Sequence, residues 1–425
     1  MAATKWHCAR CSAELAMSAW FPFRCPNATE TDRHHYLQIW DDGELTDPIE
    51  ATHPFIAIDA ELAWAKCAEL HGMDADRRAA LVIELDDAIK AVDGVGFHRT
   101  PFGRSNVLSD ELGFDADGGV WVKDETGAVG GSQKARFLFS ILLHLRAAEE
   151  LGQLTERPPL AIASCGNAAV AAATLAKAAD WPIDVYVPTW MDDGFGRRLD
   201  ALDARVHRSE RRDEDPAGDP AMFRFREAVA AGAIPFTVQG SENALCLDGG
   251  RTLGWEIIEQ FRERGRGDPD AVFIQVGGGA FASATANALI TSAAVPLYPV
   301  QMEGCAPLDR ALSRARELKL FEVGPHWDDL MSVWDNPQSL ADGILDDETY
   351  DWVDIHHALQ VRGGRSVVAP EWTAAAAHEM AHRAGFDASP TGSAGLAGLL
   401  AALGPERHDL PTSANVVVVM SGVTR

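Results

Sequence analysis

Lys134 stands in the segment Gly130-Gly131-Ser132-Gln133-Lys134-Ala135-Arg136, at the start of an expected helix. Two glycines let the backbone approach a ligand closely, and Ser132 is placed to cap the helix. A cation in a first helical turn is mildly disfavoured by the helix dipole. A desolvated amine, or an imine made from it, suffers less, and such lysines form Schiff bases with carbonyl groups. The commoner state of a lone lysine at a helix start is solvated. Only seven lysines occur: Lys5, Lys66, Lys90, Lys123, Lys134, Lys177 and Lys319. Lys123, on a short strand, is the second candidate amine.

Three further turns carry polar or glycine-rich chemistry. Ser164-Cys165-Gly166-Asn167 follows the apolar run Leu160–Ala163. Its amides suit a carboxylate, and Asn167 can both donate and accept. Asn167 is also an ordinary helix cap. Gly277-Gly278-Gly279-Ala280-Phe281-Ala282-Ser283 follows the apolar strand Ala271–Val276 and opens a helix. Backbone amides there can cradle a phosphate. The same segment fits Gly-x-Gly-x-x-Ala, with Glu303 ending the next strand, so an NAD-dependent oxidoreductase is a competing reading. Finally, Val416–Met420 ends in Ser421-Gly422. A hydroxyl there can bond an uncharged pyridine-type nitrogen.

These turns need strands and helices to hold them. Apolar periodicity predicts helices over 60–71, 76–92, 132–151, 168–179, 195–204, 221–231, 249–264, 281–293, 371–384 and 393–403. Strands are expected at 120–123, 160–163, 183–187, 206–208, 271–276, 297–302 and 415–420. Strands in continuous apolar runs, alternating with helices, indicate an α/β fold with parallel sheets covered on both faces. In such sheets ligands bind at the carboxyl ends of the strands. Residues 208–220 read as an exposed loop, and 305–365 as irregular and acidic.

Taken in order, the four turns resemble the tryptophan synthase β-like family of pyridoxal-phosphate enzymes (fold type II). That family includes threonine synthase, threonine and serine dehydratases, and cysteine synthase. The similarity lies in Gly131-Ser132-Gln133-Lys134-Ala135-Arg136, Ser164–Asn167, Gly277–Gly279 and Ser421, with Val122-Lys123-Asp124-Glu125 before them. It covers roughly residues 97–425. The resemblance implies two three-layer α/β domains with mostly parallel sheets, plus a small Cys-containing N-terminal segment. Residues 1–45 would form the head. Residues 46–137 and 241–425 would form a large cofactor-binding domain, and 138–240 a small mobile one. Pyridoxal 5′-phosphate would be bound covalently by Lys134. Asn167 would bond its 3′ oxygen, and Gly277, Gly278, Gly279, Ala280 and Phe281 would hold its phosphate. Ser421 would face the ring nitrogen. Ser132, Ser164, Cys165 and Gly166 would seat the substrate carboxylate. Gln133 departs from the aromatic or His usual before the lysine. Ala280 and Phe281 replace polar residues of some relatives, leaving the phosphate on backbone amides supplemented by Ser283 or Thr285.

The cofactor's ring acts as an electron sink, and a neutral nitrogen partner makes it a mild one. The implied activity is β- or γ-elimination or replacement on serine, threonine or a phosphorylated hydroxy amino acid. A threonine-synthase-like reaction on O-phosphohomoserine is the alternative. A homodimer is expected.

Cys8-x-x-Cys11, Cys25 and His35 (or His34) could form a Cys3His zinc site. His378 and His382, one turn apart without a third ligand, are expected on a solvated helix face. The chain carries a net charge of -26, with 47% apolar and 24% charged residues. That composition is globular, and the absence of a basic stripe argues against nucleic acid. Seven cysteines, three clustered near the start and four scattered, with no signal-peptide pattern and no long apolar stretch, make a cytoplasmic protein the expectation, without a membrane partner.

Overall fold

The computed structural model describes residues 5–40, 51–216, 218–404 and 410–424. The expected boundary between head and large domain, at residues 45 and 46, lies outside them. Three sheets organise the chain. In the head, β1 (Lys5–Cys8) lies between β2 (Glu14–Ala16) and β3 (Leu37–Trp40), all antiparallel.

The large sheet contains β4 (Phe102–Ser105), β5 (Gly119–Asp124), β10 (Ala271–Gln275), β11 (Leu297–Met302), β12 (Val367–Ala369) and β13 (Asn415–Met420), in the order β12-β11-β10-β13-β5-β4. Only β4 runs antiparallel. The smaller parallel sheet is β8-β7-β6-β9, from Arg205–Ser209, Ile183–Pro188, Leu160–Ala163 and Ile234–Pro235.

The valine run of β13 follows from burial on both faces. Val417 and Val419 pack into one core and Val416, Val418 and Met420 into the other. Successive side chains point to opposite faces, so a strand covered twice must be apolar at every position. At roughly 1.5–3 kcal/mol per fully buried aliphatic side chain, this run is among the strongest anchors of the sheet.

Residues 305–365 are not irregular throughout, contrary to the sequence reading. Helices span Pro307–Leu318 and Val353–Arg362. The first buries Leu308, Ala311, Leu312 and Ala315, an i, i+3, i+4, i+7 stripe hidden among charges on its outer face. β4, β9 and β12 were also not foreseen. Each has four residues or fewer, too few to display an alternation.

The helix expected to begin at Gly249 begins at Leu245 and runs to Arg262. Gly249 and Gly250 do not break it; they let it touch the helix Lys134–Glu150. A Cβ on Gly249 would strike the Arg136 carbonyl oxygen, and one on Gly250 the Phe137 ring. Among the described residues, no helix is long and apolar enough to cross a membrane.

The head docks far along the chain. Tyr36 and Gln38 donate to the two oxygens of Asp354 at 2.7 and 2.6 Å, and Arg33 pairs with Glu242 at 3.1 Å.

Gly249→Ala tests the helix contact. The substitution gains about 1 kcal/mol of helix propensity but forces a clash with a backbone carbonyl that cannot rotate away. A net loss of about 2 kcal/mol is expected in urea unfolding; an unchanged or raised midpoint would show that the two helices are not in contact there.

Candidate functional site

Lys134 opens its helix directly after a loop that is laced to the end of β13. Gln133 N–H donates to Ser421 O at 3.0 Å, Val423 N–H donates to Gly131 O at 3.0 Å, and Ser132 forms a β-bridge with Gly422. Gly130 and Gly131 have φ of 67° and 73°, and a Cβ on Gly131 would meet Val423 at 2.8 Å. The glycines therefore permit both the turn and the lacing. Ser132 does not cap the helix. Gln133 occupies that position, without a side-chain cap bond, because Ser132 is held extended against Gly422.

The lysine faces a cavity of about 990 Å³. The expected cofactor and substrate residues line it: Ser132 and Lys134, the Ser164–Asn167 turn, Gly277–Phe281, and Ser421. Asn167 begins a helix and donates to Val423 O at 3.5 Å; Ser164 Oγ accepts from Gly166 N–H at 3.2 Å. Gly277–Gly279 follow β10 and lead into the helix Ala280–Ser292. Gly279 has φ 102°, and a Cβ there would strike Asp351 O. Ser283 is unavailable to a phosphate, since its hydroxyl donates to Asp351 O at 2.6 Å. Thr285 Oγ1 is buried without a partner.

Sequence reasoning missed three residues. Gln275, at the end of β10, donates from Nε2 to Ser421 Oγ at 2.7 Å. The Ser421 hydroxyl hydrogen is thus left to donate into the cavity. A polar residue closing an apolar strand was the available signal. Asp346 and Asp351 come from a stretch without periodicity. Asp346 Oδ2 would lie 2.5 Å from a Cβ on Gly277. Burial raises its carboxyl to about 6, although Lys134 and the Gly278 N–H pull it down. Burial likewise lifts Asp351 to about 7, against donation from the amides of Gly240 and Ser241 at 2.7 and 3.1 Å.

Residues 95–422 match the family model described as "Pyridoxal-phosphate dependent enzyme". The chain belongs to that family. Solved structures share its fold. Maize serine racemase matches with TM-score 0.61 and 18% identity, covering 81% of this chain and 95% of the racemase. Threonine deaminase isoform 2 from Solanum lycopersicum, in its processed form, matches with TM-score 0.59 and 19% identity, covering 83% and 86%. Diaminopropionate ammonia lyase of Escherichia coli matches with TM-score 0.62 and 17% identity, covering 90% and 93%. No curated protein matches the sequence.

Membership in this family removes the NAD reading. Glu303, its expected ribose partner, instead accepts from the Glu371 N–H at 2.7 Å, at the start of the helix Glu371–Arg383. His378, half-buried, and His382, exposed, both lie within hydrogen-bond distance of Ala388 O, at 3.0 and 3.2 Å.

Lys123, the other candidate amine, is committed to a buried ion network. Its Nζ meets Glu256 at 2.5 Å, Gln260 at 2.7 Å and Thr100 O at 3.0 Å. Arg136, two residues after Lys134, forks onto Glu125 at 2.9 and 3.0 Å and onto Glu256 at 2.6 and 3.2 Å. Two cations thus balance two carboxylates. Burial alone would raise Glu256, but Arg136 and Lys123 outweigh it and hold it at about 2. The network fixes the first turn of the lysine's helix against β5 and the helix Leu245–Arg262.

In the head, the Sγ atoms of Cys8, Cys11 and Cys25 and a ring nitrogen of His35 lie within 4.8 Å of one another. Cys11 and Cys25 are 3.6 Å apart, and Cys8 lies 3.4 Å from His35 Nδ1. Tetrahedral zinc with Zn–S of about 2.3 Å requires ligand separations of about 3.7 Å. His35 Nε2 lies 3.1 Å from an Asp32 carboxylate oxygen, which would orient the ring as a ligand. His34 stacks on Trp327 with ring centroids 4.4 Å apart, so it is not the fourth member.

Replacing Arg136 by Met leaves two buried carboxylates with one cation. A loss of about 3–5 kcal/mol is expected in denaturant unfolding; a loss below about 1 kcal/mol would show that the network is not closed as described.

Proposed function

We propose that the chain is a pyridoxal-phosphate-dependent lyase that removes a leaving group from Cβ of a small L-amino acid. The observation that carries this is the lacing of the Lys134 loop to Ser421, which sets an amine and a hydroxyl donor on one cavity beside a glycine-rich helix start. The unpartnered, buried Ser132 Oγ and Gln133 Oε1 support a bound group in that cavity.

In this reading Lys134 holds the cofactor covalently and moves the Cα proton. Gly277, Gly278, Gly279, Ala280 and Phe281 offer backbone amides to the phosphate at a helix N-terminus. Seating a phosphate there requires Asp346 to take up a proton or turn away, and its raised pKa eases the first. Asn167 orients the cofactor's ring oxygen. Ser132, Ser164, Cys165 and Gly166 seat the substrate carboxylate. Ser421, already accepting from Gln275, donates to an unprotonated ring nitrogen. The cofactor supplies an electron sink, which a neutral ring partner keeps mild, favouring elimination over transamination. The sheet within 138–240 is the small mobile domain. A homodimer is proposed on the resemblance alone.

The head is proposed to hold one structural zinc on Cys8, Cys11, Cys25 and His35. Metal analysis of protein purified without chelator should find about one zinc per chain, lost in Cys8→Ser with Cys11→Ser; wild type with no zinc ends this reading.

Purified protein should show a visible cofactor band that borohydride bleaches, with the reduced adduct mapping to Lys134. Lys134→Ala should lose the adduct and at least about a thousandfold in ammonia or keto-acid release from the best amino acid. An adduct on another lysine, or full activity in Lys134→Ala, would overturn the assignment.

A further inference from the structure

The geometry points to a substrate whose side chain carries an ammonium group, with phosphorylated side chains rejected. This rests on the cofactor reading above and names the substrate class of the same cavity. Six aspartates line the cavity: Asp219, Asp335, Asp342, Asp346, Asp347 and Asp351. Among the described lining residues Lys134 is the one basic side chain; no arginine or histidine reaches the wall.

Asp219, Asp342 and Asp347 accept hydrogen bonds from neutral donors, which leave their charge in place. Asp219 accepts from Ala221 N–H at 2.9 Å, Asp342 from the Thr391 hydroxyl at 3.3 Å, and Asp347 from the Tyr350 hydroxyl at 3.3 Å. Burial displaces both Asp346 and Asp351 upward, and at Asp346 the nearby Lys134 offsets only part of it.

A second observation is independent of charge. Gln133 is 5% exposed, lines the cavity, and its Oε1 has no partner. A buried acceptor without a donor costs free energy until a ligand N–H or O–H satisfies it. An ammonium offers three donors and a positive charge; a phosphate dianion offers acceptors and the wrong sign. A cleft lined by one sign of charge concentrates ligands of the other. With Lys134 committed to the cofactor, and the cofactor's own phosphate on the glycine loop, no side-chain cation remains on the described wall for a second phosphate. This argues against O-phosphohomoserine, the alternative substrate of a threonine-synthase-like reaction.

Three ligands with one carbon skeleton test the point: L-2,4-diaminobutyrate, L-homoserine and O-phospho-L-homoserine. Binding to the holoenzyme is read from the change in the visible cofactor band. Diaminobutyrate should bind about tenfold or more tighter than homoserine, and phosphohomoserine weakest. Raising ionic strength from about 0.05 to about 0.5 M should weaken diaminobutyrate several-fold and leave homoserine unchanged. The double variant Asp335→Asn, Asp347→Asn should narrow the gap between the two. Equal affinity for diaminobutyrate and homoserine, or tightest binding of phosphohomoserine, overturns the inference while a borohydride-sensitive band leaves the cofactor reading standing. Absence of any visible band overturns both.

Discussion

Residues 131–133 and 421–423 are joined by backbone hydrogen bonds, and the candidate site depends on that joint. Each bond is worth only about 1 kcal/mol. Their effect is geometric. They fix the start of the lysine's helix relative to the end of the central strand, so Lys134 and Ser421 cannot drift independently. Gly131 makes the approach feasible, because any side chain there would strike Val423. The buried valines of β13 then hold the joint in the core.

Charge is distributed with opposite logic on the two sides of the lysine's helix. Behind it, Arg136 and Lys123 meet Glu125 and Glu256 in a neutral, closed network. In front of it, carboxylates gather around one lysine. The first arrangement positions; the second leaves a field that a ligand must complete. A buried network in which each charge has its partner tolerates no single deletion. Asp335 and Asp347, on the wall, lie outside that network.

The sequence showed the four strand-end turns because each pairs an apolar run with a short group of small or polar residues. Lys134, Asn167, Gly277–Gly279 and Ser421 meet at one cavity as their order implied. Other features stayed hidden for physical reasons. Gly249 stood as the expected start of a helix that in fact begins at Leu245; it and Gly250 serve contact with another helix, which is a tertiary fact. Pro307–Leu318 was masked by its charged face. Gln275 looked like one more strand residue until Ser421 arrived beside it. Asp346 and Asp351 lie in turns, where no period marks burial. Ser132 was assigned to the helix by type, but its pairing with Gly422 takes precedence.

The position of β13 has a consequence for biosynthesis. It lies between β5 and β10, yet among the described strands it stands last in the chain. The halves of the large sheet therefore cannot join until residues 415–420 have left the ribosome. The head must likewise wait for Asp354, more than three hundred residues downstream of Tyr36. Long-range pairing of this kind closes slowly. A nascent chain, whatever its length short of that strand, holds Lys134 without the backbone joint that fixes the start of its helix.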